Sequence, residues 1–245
     1  MFMERRISIC SLWFLVSAVS PLPAAERTCR VLFLGTAGSA PESLQLFAGK
    51  GSQKIELPRM NLSPVYTLPP GDITLFLLEN APEKPEDIPA GSPKAFLAES
   101  ISDFYLFISD NRENEALPFS MRIIKANPDK FRDGQLLWFN LTGNLIAGEI
   151  GTRKLMLRPM ARQIMREPAK ATGDYPVDIQ YRLPGETDSW PLCATKWLHN
   201  PSARIIMLIL PESGTRIPRI MSFTDFREKP AEQPSSQPGL SRQGQ

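Results

Sequence analysis

The sequence predicts an all-β protein built from two tandem β-sandwich modules that arose by internal duplication. Three observations carry this reading. The chain has 24 prolines against 15 glycines, and the prolines fall between short apolar runs instead of in one tract, a pattern that breaks helices and suits strands joined by turns. Runs such as "RVLFLG", "SLQLFA", "DITLFLL", "DFYLFIS", "QLLWFNL", "VDIQYRL" and "RIIMLIL" are rich in β-branched and aromatic residues and bounded by Gly, Pro, Asn or Asp, which are strand signals. Finally, "KIELPRM" (Lys54 to Met60) matches "KLMLRPM" (Lys154 to Met160) at an offset of one hundred residues.

The self-match extends beyond that heptapeptide. An apolar run and a Gly-containing turn precede each copy, "LQLFAGKGSQ" and "LIAGEIGTR", and each pair reads as a β-hairpin. A Gly-Asp and a strand follow each, from Gly71 and from Gly173, and both halves close on a long apolar strand, Phe104 to Ile108 and Ile205 to Leu210. In "VDIQYR", Val177, Ile179 and Tyr181 alternate with polar residues, as in a strand with one wet face. "DFYLFIS" and "RIIMLIL" lack that alternation and read as strands buried on both sides. The resulting organisation is a first module over residues 28–115 and a second over 118–227. In the connecting stretch Asn111 to Gly134, "SMRII" reads as a strand and "NPDKFRDG" as a turn or one helical turn opened by Asn127 and Pro128.

Both ends of the chain read differently. Residues 1–25 hold Arg5 and Arg6, an apolar run from Ile7 to Val19, and Ala24-Ala25, the layout of a secretory signal peptide. The run is shorter than the roughly 20 residues of a membrane span, so the expectation is export to the periplasm, cell surface or medium. Beyond Arg227 the tail 228–245 is Pro, Ser, Gln and Gly with no aromatic residue, a composition that predicts disorder.

Charge excludes some partners. Removing residues 1–25 takes away Glu4, Arg5 and Arg6, lowering the net charge from +2 to +1. Opposite charges are interspersed, so the sequence carries no nucleic-acid footprint and no polybasic membrane patch.

Candidate chemistry gathers in "PLCATKWLHNP", Pro191 to Pro201, which holds a cysteine, the chain's single histidine and one of its four tryptophans. His199 would have to serve as base for any Ser or Cys nucleophile, but no Gly-x-Ser-x-Gly elbow occurs, and Cys193 lies six residues away, roughly 20 Å along an extended strand. The segment therefore reads as a structural corner, with Trp197 packed into the second module and His199 exposed near a turn begun by Asn200-Pro201. One histidine and two separated mature cysteines make no structural zinc set, no calcium loop is present, and no cofactor motif occurs. Cys29 and Cys193 suit one disulfide in an exported chain, which would stabilise by about 4 to 5 kcal/mol on the chain-entropy model. The alternative is two buried thiols. Trp190 and Trp197 flank a loop-rich stretch and are candidate ligand contacts, either as a sugar-stacking surface or as seals at the end of a sandwich.

"APESLQLFAGKGSQKIELPRMNLSPVYTLPPGDITLFLL", Ala40 to Leu78, resembles the opening of an immunoglobulin-like β-sandwich family of unknown function in bacterial envelope proteins. Ala40-Pro41, the hairpin Leu44 to Leu57 and the Leu68-Pro69-Pro70-Gly71 turn carry the likeness, while the second module has Ala-Thr-Gly-Asp at the turn. The resemblance implies fold and location and brings no catalytic residues. Together these readings point to a non-catalytic extracytoplasmic structural or interaction module with envelope proteins or polysaccharide as partners. The alternative is a carbohydrate-binding module using exposed tryptophans.

Overall fold

The computed structural model describes residues 27–226 apart from 37, 39, 40 and 50; the expected signal segment 1–25 and tail 228–245 lie outside the described residues. The first module contains β1 (Arg27–Phe33), β2 (Ser43–Ala48), β3 (Gly51–Glu56), β4 (Tyr66–Leu68), β5 (Ile73–Leu78), β6 (Lys94–Leu97), β7 (Asp103–Asp110) and β8 (Phe119–Lys125). The second contains β9 (Leu136–Asn140), β10 (Leu145–Ile150), β11 (Arg153–Leu157), β12 (Arg162–Met165), β13 (Gly173–Arg182), β14 (Trp190–His199), β15 (Arg204–Leu210) and β16 (Arg219–Asp225). Strand order is β4-β1-β7-β8 over β3-β2-β5-β6 in the first module, and β12-β9-β15-β16 over β11-β10-β13-β14 in the second. The opening strand pairs parallel with the seventh strand of its own module in both cases, β1 with β7 and β9 with β15. The chain is thus two immunoglobulin-like sandwiches of one topology, as a tandem duplication requires.

The registers refine the repeat. Lys54 and Lys154 do fall on equivalent strands, β3 and β11, but the hairpins differ by two residues. Both turns carry a glycine in the left-handed region, Gly49 (φ 68°) and Gly151 (φ 60°), where a side chain would be strained. Counted from those turns, Leu44 opposite Ile55 corresponds to Ile146 opposite Leu157, an offset of 102 and not one hundred. A two-residue slip keeps every side chain on its face, so the apolar pattern matched at either offset.

The boundary between the modules also moves. β8 pairs with β7 along its whole length, so the first module runs to Lys125 and the second begins near Leu136, in place of 115 and 118. "NPDKFRDG" forms a turn, with the Lys130 and Phe131 amides each donating to Asn127 O at 2.9 Å.

Each sandwich has its own core. Val31, Phe33, Phe104, Leu106 and Ile108 meet Leu46, Leu75 and Leu77 in the first; Leu136, Trp138, Met207 and Ile209 meet Ile146, Val177 and Ile179 in the second. A third core lies between the modules. The opposite faces of β7 and β15 present Tyr105, Phe107, Ile206 and Leu208, packed with Leu32, Leu137, Phe139 and Phe223. The inner sheets β4-β1-β7-β8 and β12-β9-β15-β16 therefore pack face to face, making a stack of four sheets. That is why "DFYLFIS" and "RIIMLIL" do not alternate: both faces of β7 and β15 are dry, each face in a different core.

A buried ion cluster lies inside this third core. Arg204, 2% exposed, opens β15 and sends Nη2 to Asp103 Oδ2 (2.9 Å), which opens β7, and to Asp225 Oδ2 (2.7 Å) of β16. Its Nη1 donates to the carbonyls of Ala126 and Phe131. Arg30 of β1 lies 2.9 Å from the other Asp225 oxygen, and the Tyr105 hydroxyl donates to Asp225 Oδ2. Among the described residues, the cations Arg204 and Arg30 face the carboxylates Asp103 and Asp225. Burial alone works against the Arg204 charge, yet Tyr105, Asp225 and Asp103 outweigh it and raise its pKa.

Candidate binding cleft

The two modules share a topology but not a closed edge. In each, the last strand of one sheet faces the last strand of the other: β6 faces β8, and β14 faces β16. In the first module those edges come into contact and the core is sealed by Leu97, Leu117 and Phe119, all buried, with Met121 and Ile123 packed against them. Pairing registers give the equivalents in the second. Leu97 lies opposite Ile73, and Trp197 opposite Tyr175. Ile123 lies opposite Leu106, and Ser222 opposite Met207. Continuing along β16, the first module's Leu117, Phe119, Met121 and Ile123 become Arg216, Pro218, Ile220 and Ser222. A hydroxymethyl group replaces a sec-butyl group and a proline replaces a phenyl ring, so the edge is left open.

The result is a cleft of about 560 Å³ reaching between the sheets of the second sandwich. Tyr175, Leu192, Cys193 and Trp197 line one wall, and Ile205, Met207, Ile217, Ile220, Ser222 and Thr224 line the other. Trp197 is fixed by its neighbours: its ring stacks on Trp138 (centroids 6.0 Å apart, planes at 19°) and meets the Tyr175 ring edge-on at 6.4 Å, geometries that add to the apolar burial. Burial pushes the Tyr175 phenol up to about 12, so it stays protonated at any physiological pH.

The structure places the candidate residues as follows. Trp190 pairs with Tyr181 and Trp197 with Tyr175. A bulge around Leu192 restores the parity, so both indoles rise from the face of β14 that looks into the sandwich, but six positions of β13 separate them, about 20 Å. They do not form one platform. Trp190 is half exposed, its Nε1 donating to Glu186 Oε2 at 3.2 Å, and Glu186 also meets Arg216 at 2.8 Å. Those two bonds, the Trp190 one first, hold the Glu186 carboxyl below its ordinary range.

Cys29 and Cys193 do not bond each other. Cys29 is in the first core and Cys193 against the second. The two inner sheets and the core between them separate the thiols, which no disulfide geometry spans. Burial first, then the Asp178 charge, raises the Cys193 thiol pKa, which makes it a slow nucleophile at neutral pH.

His199 is the second correction. The expected turn is present, with the Ser202 amide donating to Asn200 Oδ1 at 2.9 Å, but the imidazole is 1% exposed, its ring edge-on to Tyr175 at 6.4 Å. Its Nε2 hydrogen-bonds to no described residue. It pairs with Gly173 and Cys193 with Ile179, again six positions of β13 and about 20 Å apart. Burial lowers the His199 pKa, so it is held neutral while the unfolded chain still titrates near 6.5. Below that pH the unfolded state binds a proton that the native state refuses, and stability falls as pH falls, by at most about 1.4 kcal/mol per pH unit. Urea midpoints of wild type and His199→Gln between pH 7.5 and 5 test this; the wild type is expected to lose more stability on acidification than the variant.

Among the described residues, no three His, Cys, Asp or Glu side chains group as a metal site, and no helix is long and apolar enough to cross a membrane. The cleft has a signal in the sequence that only the register makes legible: the change from "LPFSMRI" to "RIPRIMS" marks an edge turned more polar once strand pairing fixes which residues correspond. Compared with known proteins, the chain matches no protein-family model, and no curated protein is similar to it in sequence.

Proposed function

We propose that the chain is a non-catalytic extracytoplasmic binding module of a bacterial envelope or secreted space, in which the first sandwich is closed between β6 and β8 and the second, open at the equivalent edge, carries the binding site. The observation that supports this most is the divergence of the two copies. One topology serves twice, and the copy whose edge residues have become Pro218 and Ser222 has a mouth between β14 and β16. The groups best suited to chemistry are poorly placed for it: Cys193 has a raised pKa, and His199 is buried and far from it. The signal-like N-terminus and the resemblance to envelope sandwiches support the location.

Chain recovered from the extracytoplasmic fraction of producing cells and examined by native mass spectrometry tests this reading. The expected result is a mature N-terminus near Glu26 and a non-covalently bound species released on denaturation. Chain beginning at Met1, or consumption of a bound compound, would contradict it. Carbohydrate binding is the second reading, favoured by the half-exposed Trp190. Because Trp197 is about 20 Å away, it predicts that Trp190→Ala alone abolishes retention on a polysaccharide matrix.

A further inference from the structure

We propose that the cleft of the second sandwich binds a hydrocarbon tail of the acyl or prenyl kind, with its polar end at the Ser222 and Thr224 hydroxyls. This rests on the binding-module reading above and specifies what is bound.

The first module shows what fills such a space. Where its edges meet, hydrocarbon side chains, Leu97, Leu117, Phe119 and Ile123, close the core. In the second module the equivalents of Leu117 and Ile123 are polar, Arg216 and Ser222, that of Phe119 is the smaller Pro218, and that of Leu97 is Trp197, so the space left open is one that hydrocarbon side chains close in the first module. At about 560 Å³ it falls in the range of roughly 300–1,000 Å³ typical of small-molecule sites. Its lining combines aromatic and aliphatic side chains, Tyr175, Trp197, Ile205, Met207 and Ile220, with polar groups, among them Ser222 and Thr224, two apart on one face of β16, whose hydroxyls can orient a polar end.

A polypeptide strand fits less well. Strand addition needs an unprotected edge, and both edges here carry protective features: Pro191, the bulge around Leu192 and Lys196 on β14, and Pro218 and Arg219 at the start of β16. Proline lacks the amide a ladder requires, and bulges and charges turn edges away from partners. A tail inserted between the sheets needs no backbone pairing.

Cys193 lines this cleft, whereas Cys29 is wholly buried in the other module, so the chain has its own reporter of occupancy. Fluorescent cis-parinaric acid is titrated into the full chain, palmitate is used as competitor, and alkylation of the Cys193 peptide is followed by mass spectrometry. Expected are saturable one-to-one binding, displacement by palmitate, and slower Cys193 alkylation when the ligand is present. The double variant Pro218→Phe, Ser222→Ile, which restores the first module's residues, should weaken binding at least about tenfold without lowering the thermal midpoint. Should that variant fail to fold, wild type modified at Cys193 with N-cyclohexylmaleimide should fail to bind. Binding that survives both treatments, or leaves Cys193 alkylation unchanged, overturns the assignment. Protection of Cys193 by an extended apolar peptide but not by palmitate overturns the ligand class while leaving the binding-module reading intact. Turnover of a bound compound overturns that reading itself.

Discussion

Arg204→Met is expected to cost about 3–5 kcal/mol, the usual consequence of removing one partner from a buried charge cluster. Arg204 bridges Asp103 of the first module and Asp225 of the second, and its guanidinium also covers the Tyr105 and Phe131 rings at 5.8 and 5.1 Å from their centroids. Methionine fills much of the same volume. It leaves two carboxylates in a dry interface without the guanidinium that joined them, with Arg30 still beside Asp225. Asp103 and Arg204 occupy equivalent positions, the first residues of β7 and β15, so the duplicated position has diverged into opposite charges that pair with each other. If the loss comes from uncompensated charge and not from lost packing, adding Asp103→Asn and Asp225→Asn to Arg204→Met should recover part of it. Denaturant midpoints for the single and triple variants decide; a single variant within about 0.5 kcal/mol of wild type, the range of an ordinary surface change, would mean that the cluster is not shielded as described.

Trp138→Ala is expected to cost about 3–5 kcal/mol through transfer and cavity terms together. Trp138 is fully buried and lies opposite Met207, as Val31 lies opposite Leu106 in the first module, so it fills in the second core the space that a valine fills in the first. It also forms the floor on which Trp197 stacks. Trp197→Ala should cost less, about 1–3 kcal/mol, because that ring is only partly buried, and the double variant should be less destabilised than the sum by about 0.5–1.5 kcal/mol, the coupling of an aromatic pair. Near-UV circular dichroism should lose the signal of the stacked pair in either single variant. Strict additivity would show that the two indoles do not support each other.

The fold was largely legible in the sequence because turn chemistry and apolar patterning act locally. The hairpin glycines, the Gly-Asp starts at Gly71 and Gly173, and the non-alternating β7 and β15 each carry their meaning within a few residues. The last of these also implies a second packing surface: a strand dry on both faces needs a second sheet outside its own sandwich, and here that sheet belongs to the other module. What failed was non-local. Assigning "SMRII" to the first sheet, separating Cys29 from Cys193, and burying His199 all depend on which strand packs where. His199 is polar and next to an Asn-Pro turn, so it read as exposed, yet its pairing with Gly173 turns it inward beside Tyr175. The cleft was hidden for the same reason: the offset between the copies changes from strand to strand, Leu44 to Ile146 in the hairpins but Ile123 to Ser222 on the closing edge, so only the strand pairing says which residue of one copy stands for which of the other.

Hydrogen–deuterium exchange across the full chain tests the central claim most directly, because it reads the fused inner sheets and the open edge in one experiment. The account predicts that amides of β7 and β15 exchange with the same free energy, by global unfolding alone, while β14 and β16 exchange sooner than their counterparts β6 and β8. Independent opening of β15 well before β7, or protection of β14 and β16 equal to that of β6 and β8, would contradict it.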